Sequence, residues 1–144
     1  PIRTTFQLAD IIKAAMPAAS RREKNPCKRS FQALRIAVNS ELDALSQGID
    51  QAFDLLAPNG RLCIITFHSL EDRMVKQKFA ALCQGCICPP EFPVCVCGHT
   101  PEGRLVPRKQ PILPSEEELA RNRRSQSAKL RVIEKIHDRQ PVKA

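Results

Sequence analysis

Residues 67–73, Phe-His-Ser-Leu-Glu-Asp-Arg, bring a histidine, a hydroxyl, two carboxylates and a guanidinium together in one short run. They sit at the end of residues 61–68, RLCIITFH, a nearly continuous apolar stretch rich in β-branched side chains. Such a stretch is too short for a helix and predicts a strand buried on both faces. In open parallel sheets, ligands bind just outside the carboxyl ends of the strands. His68 can donate a hydrogen bond to a substrate or accept one. Ser69, with the free N–H groups of a helix start, can hold an anion or the polar edge of a base. A purely local role competes with this: Ser69 and Asp72 cap the next helix, Glu71 favours its dipole, and His68 bonds backbone.

The second constellation is made of thiols. The chain has seven cysteines, at 27, 63, 83, 86, 88, 95 and 97. From Cys83 to His99 the pattern is C-x2-C-x-C-x6-C-x-C-G-H. Thiolates this closely spaced can grip zinc tetrahedrally. The expected ligands are Cys83, Cys86, Cys95 and Cys97, with His99 an alternative fourth donor. The spacing departs from the paired CxxC of zinc ribbons, so free thiols in a surface loop are the competing reading. The odd count, without an N-terminal secretion pattern, argues against a disulfide framework.

Other chemistries find no support. There is no Walker-type phosphate loop and no G-x-G-x-x-G, and the chain has only five glycines. No nucleophile-elbow serine is present. Tryptophan and tyrosine are absent and only six phenylalanines occur, so base-stacking platforms are scarce.

The elements that must position these residues follow from periodicity. Thr4 and Gln7 have capping-box spacing before a helix that Pro17 ends. A polar, basic linker follows. Ser30 then caps one long helix, whose stripe runs Leu34, Val38, Leu42, Leu45, Ile49, Phe53 and Leu56. Pro58-Asn59-Gly60 stops it. After the strand, Ser69 opens a helix to residue 82. Helix, buried strand and helix in this order predict a parallel α/β sheet. Residues 83–114 hold the cysteine cluster and seven prolines and read as loop, with Leu105-Val106 an edge strand. Ser115 and Glu118 cap a short helix, NRRSQS (122–127) is a basic loop, and KLRVIEKI (129–136) is a final strand.

At 144 residues the chain is one ordinary domain or the larger part of one, and its first residue, Pro1, fits a piece of a longer protein. The net charge of +8 is uneven. Residues 1–30 carry seven basic and two acidic side chains, and residues 101–144 eleven and six. Two basic ends predict a polyanion partner, nucleic acid before membrane. Arg121, Arg123 and Arg124 form a phosphate-contact loop, and the basic residues 21–29 form a second patch. No apolar run approaches the roughly 20 residues of a membrane span, so a cytoplasmic location is expected.

Three segments carry a resemblance. RSFQALRIAVNSELDAL (29–45), LAPNGRLCIITFHSLEDRMVKQKF (56–79) and PSEEELARNRRSQSAKLRV (114–132) occur in this order. Together they closely resemble the bacterial 16S rRNA cytosine-N4 methyltransferase family, and PPEFPVCVCGH (89–99) is similar to a segment of some members. The resemblance runs to about residue 136. It implies a class I, Rossmann-like, S-adenosylmethionine-dependent fold with a helical domain inserted in the sheet. Residues 1–29 would be the tail of the inserted domain and residues 30–144 the C-terminal part of the methyltransferase domain. The family's cofactor loop lies upstream of these motifs, so no cofactor-binding residue is expected here and the chain alone is expected to be inactive. The implied substrate is a cytidine in the decoding region of 16S rRNA within the small subunit. His68 and Ser69 are the catalytic candidates. Arg35, Asn39, Arg73, Arg121, Arg123 and Arg124 are the substrate-binding ones. A second copy of the chain, as a homodimer, is the other partner considered. The alternative function is a non-catalytic, zinc-dependent RNA-binding module.

Overall fold

A computed structural model describes residues 1–21, 26–109 and 111–137. Helix α1, Thr5–Ala15, starts at the expected capping box: Gln7 N–H donates to Thr4 Oγ1 (3.2 Å) and Thr4 N–H to Gln7 Oε1 (3.3 Å). Helix α2, Ala18–Arg21, and helix α3, Lys28–Asn39, follow. Cys27 is buried and its thiol donates to the Ala9 carbonyl at 3.5 Å. Residues 22–25, part of the predicted basic patch at 21–29, lie outside the described residues.

The single long helix predicted from Ser30 is two helices. Ser40 takes a left-handed conformation (φ 49°), its N–H bonding back to the Ile36 carbonyl, and helix α4, Glu41–Leu55, begins at the next residue. Asn39 and Ser40 are weak helix formers whose side chains compete for backbone bonds. The apolar stripe nevertheless keeps its spacing across them, so periodicity alone does not reveal the break. Packing divides the chain into two compact units, Pro1–Glu41 and Leu42–Ala144.

The second unit contains the rest of α4, strand β1 (Arg61–Thr66), helix α5 (Ser69–Leu82), strand β2 (Gly103–Leu105), helix α6 (Glu116–Arg121), a 3-10 turn (Arg123–Ser127) where a loop is predicted, and strand β3 (Lys129–Lys135). Its core joins Ile49 and Phe53 of α4, Val75, Phe79 and Leu82 of α5, and Ile133 of β3. Leu62, Ile64 and Leu105 pack against this cluster. Gly103 is required for the close approach of β2 to β3, because a Cβ there would lie 2.7 Å from Ile133 Cδ1.

The sheet corrects one expectation. β1 is predicted as an interior strand of a parallel sheet. The observed order is β1-β3-β2, with both pairings antiparallel and Cys63 opposite Val132. Among the described residues β1 is an edge strand, with Leu62 and Ile64 half-buried and Cys63 and Ile65 exposed. Its apolar run signals apolar surroundings but carries no information on partner direction. The last strand returns from the far end of the chain, and it is β3 whose residues Arg131–Lys135 are all buried. The fold is a mixture of helices and a small antiparallel sheet. Among the described residues no helix is long and apolar enough to cross a membrane.

Candidate functional site

At the carboxyl end of β1 the local role is fully built. The N-cap of α5 is His68 rather than the predicted Ser69. Its backbone is extended, and its Nδ1 accepts the Glu71 N–H at 3.3 Å. The Glu71 carboxylate reaches back to accept the N–H groups of Phe67 (3.0 Å) and His68 (3.2 Å). This is a capping box in which an imidazole replaces the usual hydroxyl. An accepting Nδ1 leaves the ring proton on Nε2. That atom is buried and makes no hydrogen bond among the described residues, although Glu71 Oε1 lies 3.1 Å away out of line. Ser69 and Arg73 are exposed on the first turns of α5.

Asp72, predicted as a cap, instead ties α5 to β3. Arg131 Nε donates to its Oδ1 at 2.8 Å, and Arg131 Nη2 and Lys129 Nζ donate to its Oδ2 at 3.2 and 3.3 Å. Arg131 is only 6% exposed. Its hydrogen bonds hold the Asp72 carboxyl below the ordinary carboxylate range, with Lys129 adding to the effect against a burial penalty. On the other face of the sheet, Glu134 accepts from Arg61 of β1 (2.8 Å) and from Arg104 of β2. These two arginines likewise depress its pKa, Arg61 first. Lys135 Nζ donates to the Asp54 and Leu56 carbonyls (3.0 and 2.8 Å), closing the C-terminus of α4. None of these three cross-chain ties has a local signal in the sequence.

In the first unit, Arg35 and Asn39 meet on one carboxylate. Arg35 Nε and Nη2 donate to Glu41 Oε2 at 3.2 and 3.0 Å, and Asn39 Nδ2 donates to Oε1 at 3.2 Å. In the second unit, Arg121, Arg123 and Arg124 are all exposed. Arg121 reaches Glu117 one turn away at 3.7 Å. Asn122 Oδ1 accepts the Arg124 N–H (3.1 Å), and buried Ser125 donates its hydroxyl to the Asn122 carbonyl (2.7 Å). These bonds fix the arginine-bearing turn. A cleft of about 520 Å³ runs from Ile65 and Phe67, at the end of β1, to Glu118, Asn122 and Arg124. Two elements far apart in sequence, the strand end and the basic turn, therefore share one concave surface.

The thiols also regroup. Cys86, Cys88, Cys95 and Cys97 bring their sulfurs within 4.8 Å of one another. Cys83, one of the predicted four, ends α5 and packs against the core, where burial pushes its thiol pKa up. Cys88 takes its place. His99 turns away to bond the Gly85 carbonyl through Nδ1 at 2.9 Å. The Cys97 pKa is lowered to about 6, first by the His99 N–H and then by that of Ile87. The Cys88 N–H favours the Cys86 thiolate, but the neighbouring thiols of Cys95, Cys88 and Cys97 outweigh it and push its pKa up to about 12.

Two of the glycines are tightly packed. A Cβ on Gly60 would lie 2.8 Å from the Ala57 carbonyl, so this glycine, like Gly103, serves tight packing.

Comparison with known proteins extends this geometry. The model of the MraW methylase family matches residues 1–136. A "Ribosomal RNA small subunit methyltransferase H" of Acetivibrio thermocellus is 60% identical over 136 residues, covering 94% of this chain and 43% of that protein. Proteins of the same name from Heliobacterium modesticaldum and Finegoldia magna are 56% and 55% identical, each over 94% of this chain and 44% of their own length. The chain thus spans less than half the length of these relatives and corresponds to their C-terminal part.

Proposed function

The chain belongs to the MraW methylase family, and from that premise we propose that it is the C-terminal portion of an enzyme that methylates the N4 amine of a cytidine in the decoding region of 16S rRNA. The observation that carries this reading is 55–60% identity, along 94% of the chain, to proteins named ribosomal RNA small subunit methyltransferase H. The complete enzyme is a class I, Rossmann-like protein in this reading. Residues 1–29 are the tail of its inserted helical domain, and residues 30–144 complete its methyltransferase domain. S-adenosylmethionine supplies an electrophilic methyl group when bound to that enzyme. In this reading its site lies mostly upstream of residues 1–144.

This chain's residues then serve the RNA. A cytosine amine is a poor nucleophile because its lone pair is delocalised into the ring. The protein must hold that nitrogen in line for attack and offer hydrogen bonds to the base. His68 and Ser69, at the end of β1, are assigned to the base. With Nδ1 occupied by the helix cap, His68 acts as an Nε2–H donor. Arg121, Arg123 and Arg124 take phosphates beside the strand-end cleft, and Arg73, Arg35 and Asn39 make further RNA contacts.

The test uses the full-length enzyme. His68→Ala is expected to lower turnover on the order of 10²-fold while leaving cofactor affinity nearly unchanged. His68→Asn separates chemistry from folding, because an asparagine restores the helix cap without offering an Nε2–H at the same point. Wild-type turnover in His68→Asn would assign His68 to capping alone.

The basic turn gives a second expectation. Replacing Arg121, Arg123 and Arg124 by Ala should weaken rRNA binding and reduce the slope of log K against log salt by about 2–3, the release of roughly three counterions. A filter-binding salt titration with an unchanged slope would remove this turn from the RNA interface.

A further inference from the structure

We propose that Cys86, Cys88, Cys95 and Cys97 form a closed, four-thiolate site for one zinc ion that organises the loop between α5 and β2. The proposal stands on geometry and does not depend on the methyltransferase reading.

Zinc bound by four thiolates at about 2.3 Å in a tetrahedron requires sulfur–sulfur edges of roughly 3.8 Å. The four sulfurs lie within 4.8 Å of one another, with Cys95–Cys97 at 3.6 Å and Cys86–Cys97 at 3.7 Å. A disulfide explains this less well. It would draw a pair of sulfurs to about 2.05 Å, whereas the Cys95–Cys97 and Cys86–Cys97 pairs stand well beyond that. Here each CxC arm brings two sulfurs to one point, and the arms meet across the six residues between Cys88 and Cys95.

A second observation is that backbone amides point at three of the four sulfurs. The Ile87 and His99 N–H groups donate to Cys97 Sγ, the Cys88 N–H to Cys86 Sγ, and the Val96 N–H to Cys88 Sγ, each at 3.4 Å. Backbone amides aimed at sulfur stabilise thiolate charge and fix ligand direction, as outer-shell donors do around metals.

The third observation is what the loop lacks. Residues 84–102 form no helix or strand. Their large apolar side chains, Ile87, Phe92, Val94 and Val96, are 52–73% exposed. No buried cluster holds this segment. Its base is closed by the Glu102 N–H on the Leu82 carbonyl (2.9 Å) and by His99 on Gly85. Between those ties, the thiol cluster is the feature that can fix the chain. With all four ligands from protein and no open position, the ion is structural rather than catalytic.

The experiment measures metal in the full-length protein, purified under reducing conditions without immobilised-metal chromatography. Elemental analysis should find about one zinc per chain. Cys88→Ser should lose most of it. Cys83→Ala and Cys63→Ser should keep it, because these thiols lie outside the cluster. Since Cys88→Ser could also disturb folding, the wild-type apoprotein is titrated with cobalt(II). One equivalent should develop the visible absorption of tetrahedral cobalt–thiolate coordination, and one equivalent of zinc should bleach it. Zinc well below stoichiometric, with no cobalt spectrum and the thiols of Cys86, Cys88, Cys95 and Cys97 titrating freely, would overturn the site. Full zinc retention in Cys88→Ser with loss in Cys83→Ala would overturn this ligand set.

Discussion

Asp72→Ala is expected to destabilise the second unit by about 3–5 kcal/mol, the usual cost of leaving one partner of a buried ion pair uncompensated. Arg131 is the stranded partner: it is buried in the central strand, and its Nε and Nη2 both donate to Asp72. The pair also contributes to the acid sensitivity of the fold. The Asp72 pKa is depressed in the folded state, chiefly by the Arg131 hydrogen bonds. A depressed carboxylate contributes stability that is present above its unfolded pKa, about 3.9, and is lost as pH falls through the lower folded value. Wild-type stability should therefore fall on acidification below about pH 4, and Asp72→Ala should show a shallower fall there. Glu134, depressed by Arg61 and Arg104, keeps part of the slope in both proteins. Denaturant unfolding at neutral pH and across that acid window checks both expectations. Equal stability of the two proteins at pH 7 would show that the tie contributes nothing.

Local features of this fold were legible from residue types. Thr4 with Gln7 and Ser115 with Glu118 mark helix starts because a cap needs an acceptor at a fixed offset. The strand at 61–66 and the helix after it follow from a short β-branched run meeting polar residues. What could not be read are properties set by distant chain. Strand direction depends on β3, whose Cys63–Val132 register joins residues about seventy positions apart. The role of Asp72 depends on Arg131, and that of Lys135 on the end of α4. Lys135, Glu134 and Arg131 are charged side chains of a kind usually left in solvent, yet each is buried because a partner waits on an adjoining element. The cysteine spacing announced a cluster, but its membership turned on where α5 ends. That end commits Cys83 to the core and leaves Cys88 for the loop. The strand-end motif was visible, while the residue that caps it was not, because histidine is an uncommon N-cap.

The largest effect concerns catalysis. Residues 1–144 as an isolated polypeptide should transfer no detectable methyl group and should not bind S-adenosylmethionine tightly. The family resemblance places the cofactor loop upstream of these residues, and two of their five glycines, Gly60 and Gly103, serve close packing. The exposed edge of β1, with Cys63 and Ile65 open to solvent, should make the isolated chain prone to self-association. The full-length enzyme should restore both cofactor binding and transfer. Calorimetry with the cofactor separates the two effects, and tight binding by the isolated chain would place the donor site within these residues.

The most direct test of the central claim is to map the product. Small ribosomal subunits lacking the modification are incubated with the full-length enzyme and labelled S-adenosylmethionine, and the rRNA is digested and analysed by mass spectrometry. The account predicts one labelled nucleoside, N4-methylcytidine, in a fragment from the decoding region, with its yield sharply reduced by His68→Ala. Label on another atom or outside that region, or rRNA binding without any transfer, would contradict it. The last of these would leave a non-catalytic RNA-binding module as the function of the chain.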